Sequence, residues 1–200
     1  MTPTTKETGT RERLLEVGAQ AVAEKSFNAC GLTEILKRAG VPKGSFYHYF
    51  ASKEDFGVAL IERQMALHLE TLGPILSDRR KKPLARLRAV FEFGREECIQ
   101  HGSERQCLIA KMALETGQLS PTVHAALQLA YDQWTAILAR VVREAQAEGE
   151  IVLSHDPERL ASILVMLWEG ATIRSQIDRS LQPVEDCLEF VFGDLLKPSR

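Results

Sequence analysis

Apolar residues recur at three- and four-residue spacing along nearly the whole chain, and no segment alternates β-branched and polar residues over a strand's length. The pattern predicts an all-α protein. Leu14, Gly18, Ala21 and Val22 share one face of a helix over about 10–25. The next run, Ile35, Leu36 and Ala39, is short; Thr33 before it suits an N-cap, and Gly40 after it suits a helix end. Pro42 cannot continue that helix but can open a new one, which runs to about Tyr49. Ser52 and Asp55 form a capping-box-like pair ahead of a long helix carrying Phe56, Leu60, Ile61, Met65 and Leu69, expected to stop near Leu72 at Gly73 and Pro74. Further helices are predicted near 83–101, 105–115, 120–148, 156–178 and 183–196, with Asp156 and Pro157 marking one start. Domains are expected at 1–55 and 56–200, joined by the helix over 52–72.

Two short helices joined by a turn of about three residues form a helix-turn-helix pattern. Lys43 and Gly44 at the start of the second helix suit a phosphate, the first by charge and the second by letting backbone come close. Ser45, Tyr47 and His48 can reach base edges or phosphate oxygens, while Phe46 and Phe50 pack inward. Thr33 joins this DNA-facing set. So does Lys53, a cation in the first turn of a helix, which is unfavourable there unless an anion sits in front of it. Taken alone, an aromatic cluster such as Phe46, Tyr47, Tyr49 and Phe50 is more often protein core than nucleic-acid surface.

The run Gly44, Phe46, Tyr47, Tyr49, Phe50 and Lys53 resembles the second motif helix of the TetR family of one-component transcriptional repressors, over roughly residues 10 to 60. The segments Arg105-Gln106-Cys107-Leu108 and Trp168-Glu169-Gly170-Ala171 are similar to the branch of that family that responds to reactive electrophiles and acrylate-like compounds. The resemblance implies an N-terminal three-helix DNA-binding domain followed by a helical domain for effector binding and dimerisation. It also implies a palindromic double-stranded operator, a homodimer and a small-molecule effector.

Composition agrees. Two hundred residues with 44% hydrophobic content can bury a sizeable core. The net charge of −2 hides +3 on residues 1–53 and −5 on the rest, as expected if the N-terminal face meets DNA. The basic run Arg79, Arg80, Lys81, Lys82 reads as a solvated loop. The N-terminus has no apolar leader and no stretch is apolar enough to span a membrane, so a soluble cytoplasmic protein without a membrane partner is expected. Cys30, Cys98, Cys107 and Cys187 lack metal-ligand or disulfide spacing, and no cofactor is expected.

Leu164 with Val184, Leu188, Val191, Phe192 and Leu195 forms wide apolar faces near the chain end. By resemblance these would meet across a two-fold axis in a four-helix dimer interface; otherwise they close a monomer core. Phe91, Tyr131, Trp134 and Trp168 suggest a pocket, or simply core, and Glu169 could hold a cation or hydroxyl or pair with Arg174. A thiol reacts as thiolate, which nearby cations and a helix N-terminus favour; Arg105 and Lys111 flank Cys107 at a helix start. Spacing alone leaves Cys107 either reactive or an inert buried thiol, and the resemblance makes it the sensing residue, with Cys98 joining its cavity. Two other functions stay open. One is an enzyme using Cys107 with His101 or His124 as base; the other is a constitutive DNA-organising protein of the same fold.

Overall fold

A computed structural model describes residues 5–101, 107–116, 120–151 and 155–197, and the described residues form helices and no strand. In order these are α1 (Thr5–Lys25), α2 (Leu32–Ala39), α3 (Lys43–Tyr49), α4 (Lys53–Ser77), α5 (Pro83–His101), α6 (Leu108–Thr116), α7 (Pro121–Ala147), α8 (Pro157–Asp178) and α9 (Gln182–Phe190). α9 runs on as a π-helical stretch, Val191–Leu195. The chain divides into two compact units: residues 1–67 with 107–130, and 68–106 with 131–200.

In the first unit the apolar face of α1 is buried at Leu14, Ala21 and Val22, as its spacing predicts. Gly40 adopts φ 65 at the end of α2, the left-handed conformation that glycine reaches without penalty, and Val41 N–H returns to Leu36. Thr33 is not the N-cap. Gly31 occupies that position, its carbonyl accepting from Glu34 and Ile35, and Thr33 lies exposed inside the first turn. The capping pair ahead of α4 is present: Ser52 Oγ accepts the amide of Asp55, and the Asp55 carboxylate accepts that of Ala51. Phe46, Phe50 and Phe56 stack into one knot with ring centroids 4.9–5.6 Å apart. Gly18 of α1 lies against the tip of Phe56.

In the second unit α4 does not stop near Leu72. It continues through Gly73 and Pro74 to Ser77. An internal proline costs about 3 kcal/mol; burying Leu72 and Leu76 supplies about 1.5–3 kcal/mol each. The new helix end is also held, because buried Arg86 donates to the Leu76 carbonyl and to Glu144. Packed with these are Leu87, Val90 and Phe91 of α5, Leu138, Val141 and Val142 of α7, and Leu160 and Leu164 of α8. Asp156 caps α8 as predicted, accepting the Arg159 amide at 2.8 Å.

The apolar faces expected at a dimer interface lie inside this core. Leu164, Val184, Leu188, Val191 and Phe192 are all buried within the protomer. Periodicity announces burial but not the partner. The π turn shifts the last position as well: Leu196 N–H bonds to Val191, so Leu196 is fully buried and Leu195 only partly. The apolar side chains that α8 and α9 present to solvent are others: Met166, Ile173, Ile177 and Phe190.

Candidate functional site

The Phe46–Phe50–Phe56 knot fixes one side of α3 and thereby turns the other outward. Lys43, Gly44, Tyr47 and His48 are exposed there, with Ser45 half-buried. A Cβ on Gly44 would meet no protein atom within 4 Å, so no intramolecular contact demands a glycine there. Among the described residues no carboxylate pairs with Lys43, whereas Lys25 and Arg38 are bound to Glu34, and Arg38 also to Glu24. Lys53 does not simply face solvent: its ammonium lies 3.4 Å from the Asn28 carbonyl oxygen and 4.9 Å from the centre of the Phe27 ring. The basic run after α4 is held by carboxylates of its own unit, Arg79 by Glu144, Arg80 by Asp78 and Lys82 by Glu150.

The four thiols differ sharply. Cys30 is fully buried, and burial, followed by the charge of Glu34, pushes its pKa up. Cys98 and Cys187 in the second unit are half-buried and burial raises both. Cys107 is exposed and stands at the N-cap of α6, its carbonyl accepting the Lys111 amide at 2.9 Å. Of the two cations expected beside it, Arg105 lies outside the described residues, with Ser103 and Glu104. Lys111 is turned to α1, its ammonium donating to the Ala23 carbonyl at 2.7 Å.

The residues expected to line a pocket in the second unit form pairs. Phe91 packs edge-on against Trp168, whose indole lies over Gly94, where a Cβ would come within 2.5 Å of the ring. The Tyr131 hydroxyl donates to the Glu169 carboxylate. Arg174 pairs with Asp178, not with Glu169. Trp134 packs edge-on against His68, a residue that the sequence reading left out although it interrupts an otherwise apolar stretch of α4. Burial lowers the His68 pKa and favours the neutral ring. An open groove of about 720 Å³ between α5 and α9, bordered by Arg88, Glu92, Arg95 and Glu185, includes none of the predicted pocket residues.

Burial raises the Glu169 pKa, and the Tyr131 hydrogen bond offsets this in part. A carboxyl whose folded value is raised stabilises the fold fully below its unfolded value, and that contribution is lost as pH rises through the folded value. Glu169→Gln keeps an oxygen for Tyr131 and removes the buried charge. The variant is therefore expected to melt higher than wild type at pH 7, by roughly 2–4 °C for each kcal/mol regained. The difference closes as the pH falls below the ordinary glutamate range. Equal melting temperatures at pH 7 would contradict the assignment.

Residues 14–60 match the family described as bacterial regulatory proteins, tetR family, and residues 83–191 the family described as tetracyclin repressor-like, C-terminal domain. The transcriptional regulator AcuR of Cereibacter sphaeroides is 39% identical over 86% of this chain and 79% of its own length. The transcriptional repressor NemR of Escherichia coli is 34% identical over 95% of this chain and 96% of its own. The crystal structure of the reduced form of E. coli NemR superposes with a TM-score of 0.86, covering 95% of this chain and 100% of that one.

Proposed function

This chain belongs to the TetR family of bacterial regulatory proteins, and on that footing we propose that it is a homodimeric repressor released from a palindromic operator by a thiol-reactive or acrylate-like effector. That it is a transcriptional regulator rather than a thiol enzyme follows from the family itself. The operator contacts are assigned to Thr33, Lys43, Gly44, Ser45, Tyr47, His48 and Lys53, on and beside α2 and α3. Two copies of α3 would enter successive major grooves about 34 Å apart, so a change in their separation removes one of two tethered contacts. The pairing face is the exposed set Met166, Ile173, Ile177 and Phe190 on α8 and α9, because large apolar groups left at the surface of a protomer suit a partner.

The observation that carries the sensing role is the placement of Cys107. It is the exposed cysteine among three buried or half-buried ones, and it stands at the N-terminal end of α6, where the helix dipole favours a negative charge. The test is a mobility shift on DNA from upstream of the protein's own gene, with N-ethylmaleimide as probe. Wild type is expected to release the DNA after stoichiometric treatment, by about 5–150-fold in affinity, while Cys107→Ser stays bound. A serine variant released as readily as wild type would move sensing away from this thiol and leave a non-covalent effector beside Tyr131, Trp134 and Trp168.

A further inference from the structure

One face of α6 grips the helix-turn-helix domain. Cys107, Lys111 and Glu115 follow at four-residue spacing, so the latter two lie one turn apart on the same side. Lys111 holds a terminal carbonyl of α1 at Ala23. Glu115 holds the loop between α1 and α2 twice: its carboxylate accepts the Asn28 amide at 3.2 Å, and its carbonyl accepts the Asn28 side-chain amide at 3.2 Å. Asn28 in turn presents its own carbonyl to the Lys53 ammonium. The loop carries stored strain, since Ser26 sits at φ 120, a region that a side chain with a Cβ rarely adopts. A strained loop keeps its conformation only where its surroundings impose it, and Glu115 is part of what imposes it here.

We propose that Glu115 and Asn28 are positioning residues for DNA binding: they seat the loop whose carbonyl fixes Lys53, so that a displacement of α6 is read out as a weakened phosphate contact. An ammonium has three donors. One spent on Asn28 leaves two for a phosphate, while the Phe27 ring beside the ammonium limits where the side chain can swing. The route is short. It begins at the thiol assigned above to sensing and ends at a residue assigned above to DNA, and it rests on that reading of Lys53.

The experiment uses the full chain and a labelled random-sequence duplex, because phosphate contacts do not depend on sequence. Binding is followed by anisotropy across a salt series. Lys53→Ala is expected to weaken binding and to flatten the salt dependence by about 0.9 in slope. Glu115→Ala is expected to weaken it about 5-fold or more, with the same flattening and with faster amide exchange at Asn28. Glu115→Gln keeps an acceptor for the Asn28 amide and retains wild-type affinity. In the Lys53→Ala background Glu115→Ala has no further effect. If Lys53→Ala weakens binding and Glu115→Ala does not, the positioning role is overturned while the DNA assignment stands. An additive double variant would place the action of Glu115 elsewhere and also overturn it. If neither variant matters, both assignments fall together. Asn28→Ala, which removes the other of the two loop bonds and keeps the carboxylate one, gives a loss of similar size if Glu115→Ala proves too unstable to measure.

Discussion

Phe190→Glu is expected to give a folded monomer, and Val191→Glu, one residue further on, to give no folded protein. Phe190 is 48% exposed on α9, whereas Val191 is fully buried in the core that α4, α5, α7 and α8 share. A carboxylate forced into the second site has no partner, at a cost of several kcal/mol. Total stability is about 5–15 kcal/mol, so that single change consumes most of it. At the first site the same carboxylate rests in water until two protomers meet. A two-fold interface then buries it against the apolar face of the partner with no charge to pair it, and association fails. Operator binding falls with it, by roughly 10²–10⁴, because two tethered α3 helices become one. Light scattering and circular dichroism separate the outcomes. A dimeric Phe190→Glu variant would place the pairing face elsewhere, and a folded Val191→Glu variant would return that residue to the surface.

Gly18→Ala is the second large effect expected, and its sign depends on a contest of magnitudes. Alanine inside a helix is better than glycine by about 1 kcal/mol. Its methyl group, however, would come within 2.3 Å of the Phe56 ring. Phe56 is fully buried with Phe46 and Phe50 at 5.6 and 4.9 Å, so the ring has nowhere to go. Overpacking of this kind costs about 1–3 kcal/mol or more, and here it reaches the knot that orients α3. Thermal melting is expected to show a net loss, with operator affinity reduced in step. The double variant Gly18→Ala, Phe56→Leu restores part of both by shortening the obstructing side chain. A more stable single variant would show that the knot yields.

Much of this architecture is written locally. Gly40 and Pro42 mark the turn between α2 and α3, Ser52 and Asp156 mark helix starts, and the three-and-four spacing marks the helices themselves. At Pro74 a distant contact outweighs a local signal. Leu72 and Leu76 carry α4 past Pro74 because a core waits for them. The apolar seam of α9 was legible as buried, but whether against its own chain or a second copy is a fact about three dimensions. The links from Glu115 to Asn28 and from Trp134 to His68 span long stretches of chain, and such polar and edge-on contacts leave no periodicity behind. Around α3 one aromatic cluster serves two ends: Phe46 and Phe50 face inward and Tyr47 outward, as opposite faces of a two-turn helix require.

The π turn at Val191–Leu195 has a genealogical reading. A helix already committed to a core can absorb one added residue by widening a single turn, leaving the side chains on either flank in their sockets. A relative lacking that residue would close the helix with ordinary hydrogen bonds and fill the same sockets. Aligning the two without a gap puts Leu195 where Leu196 belongs.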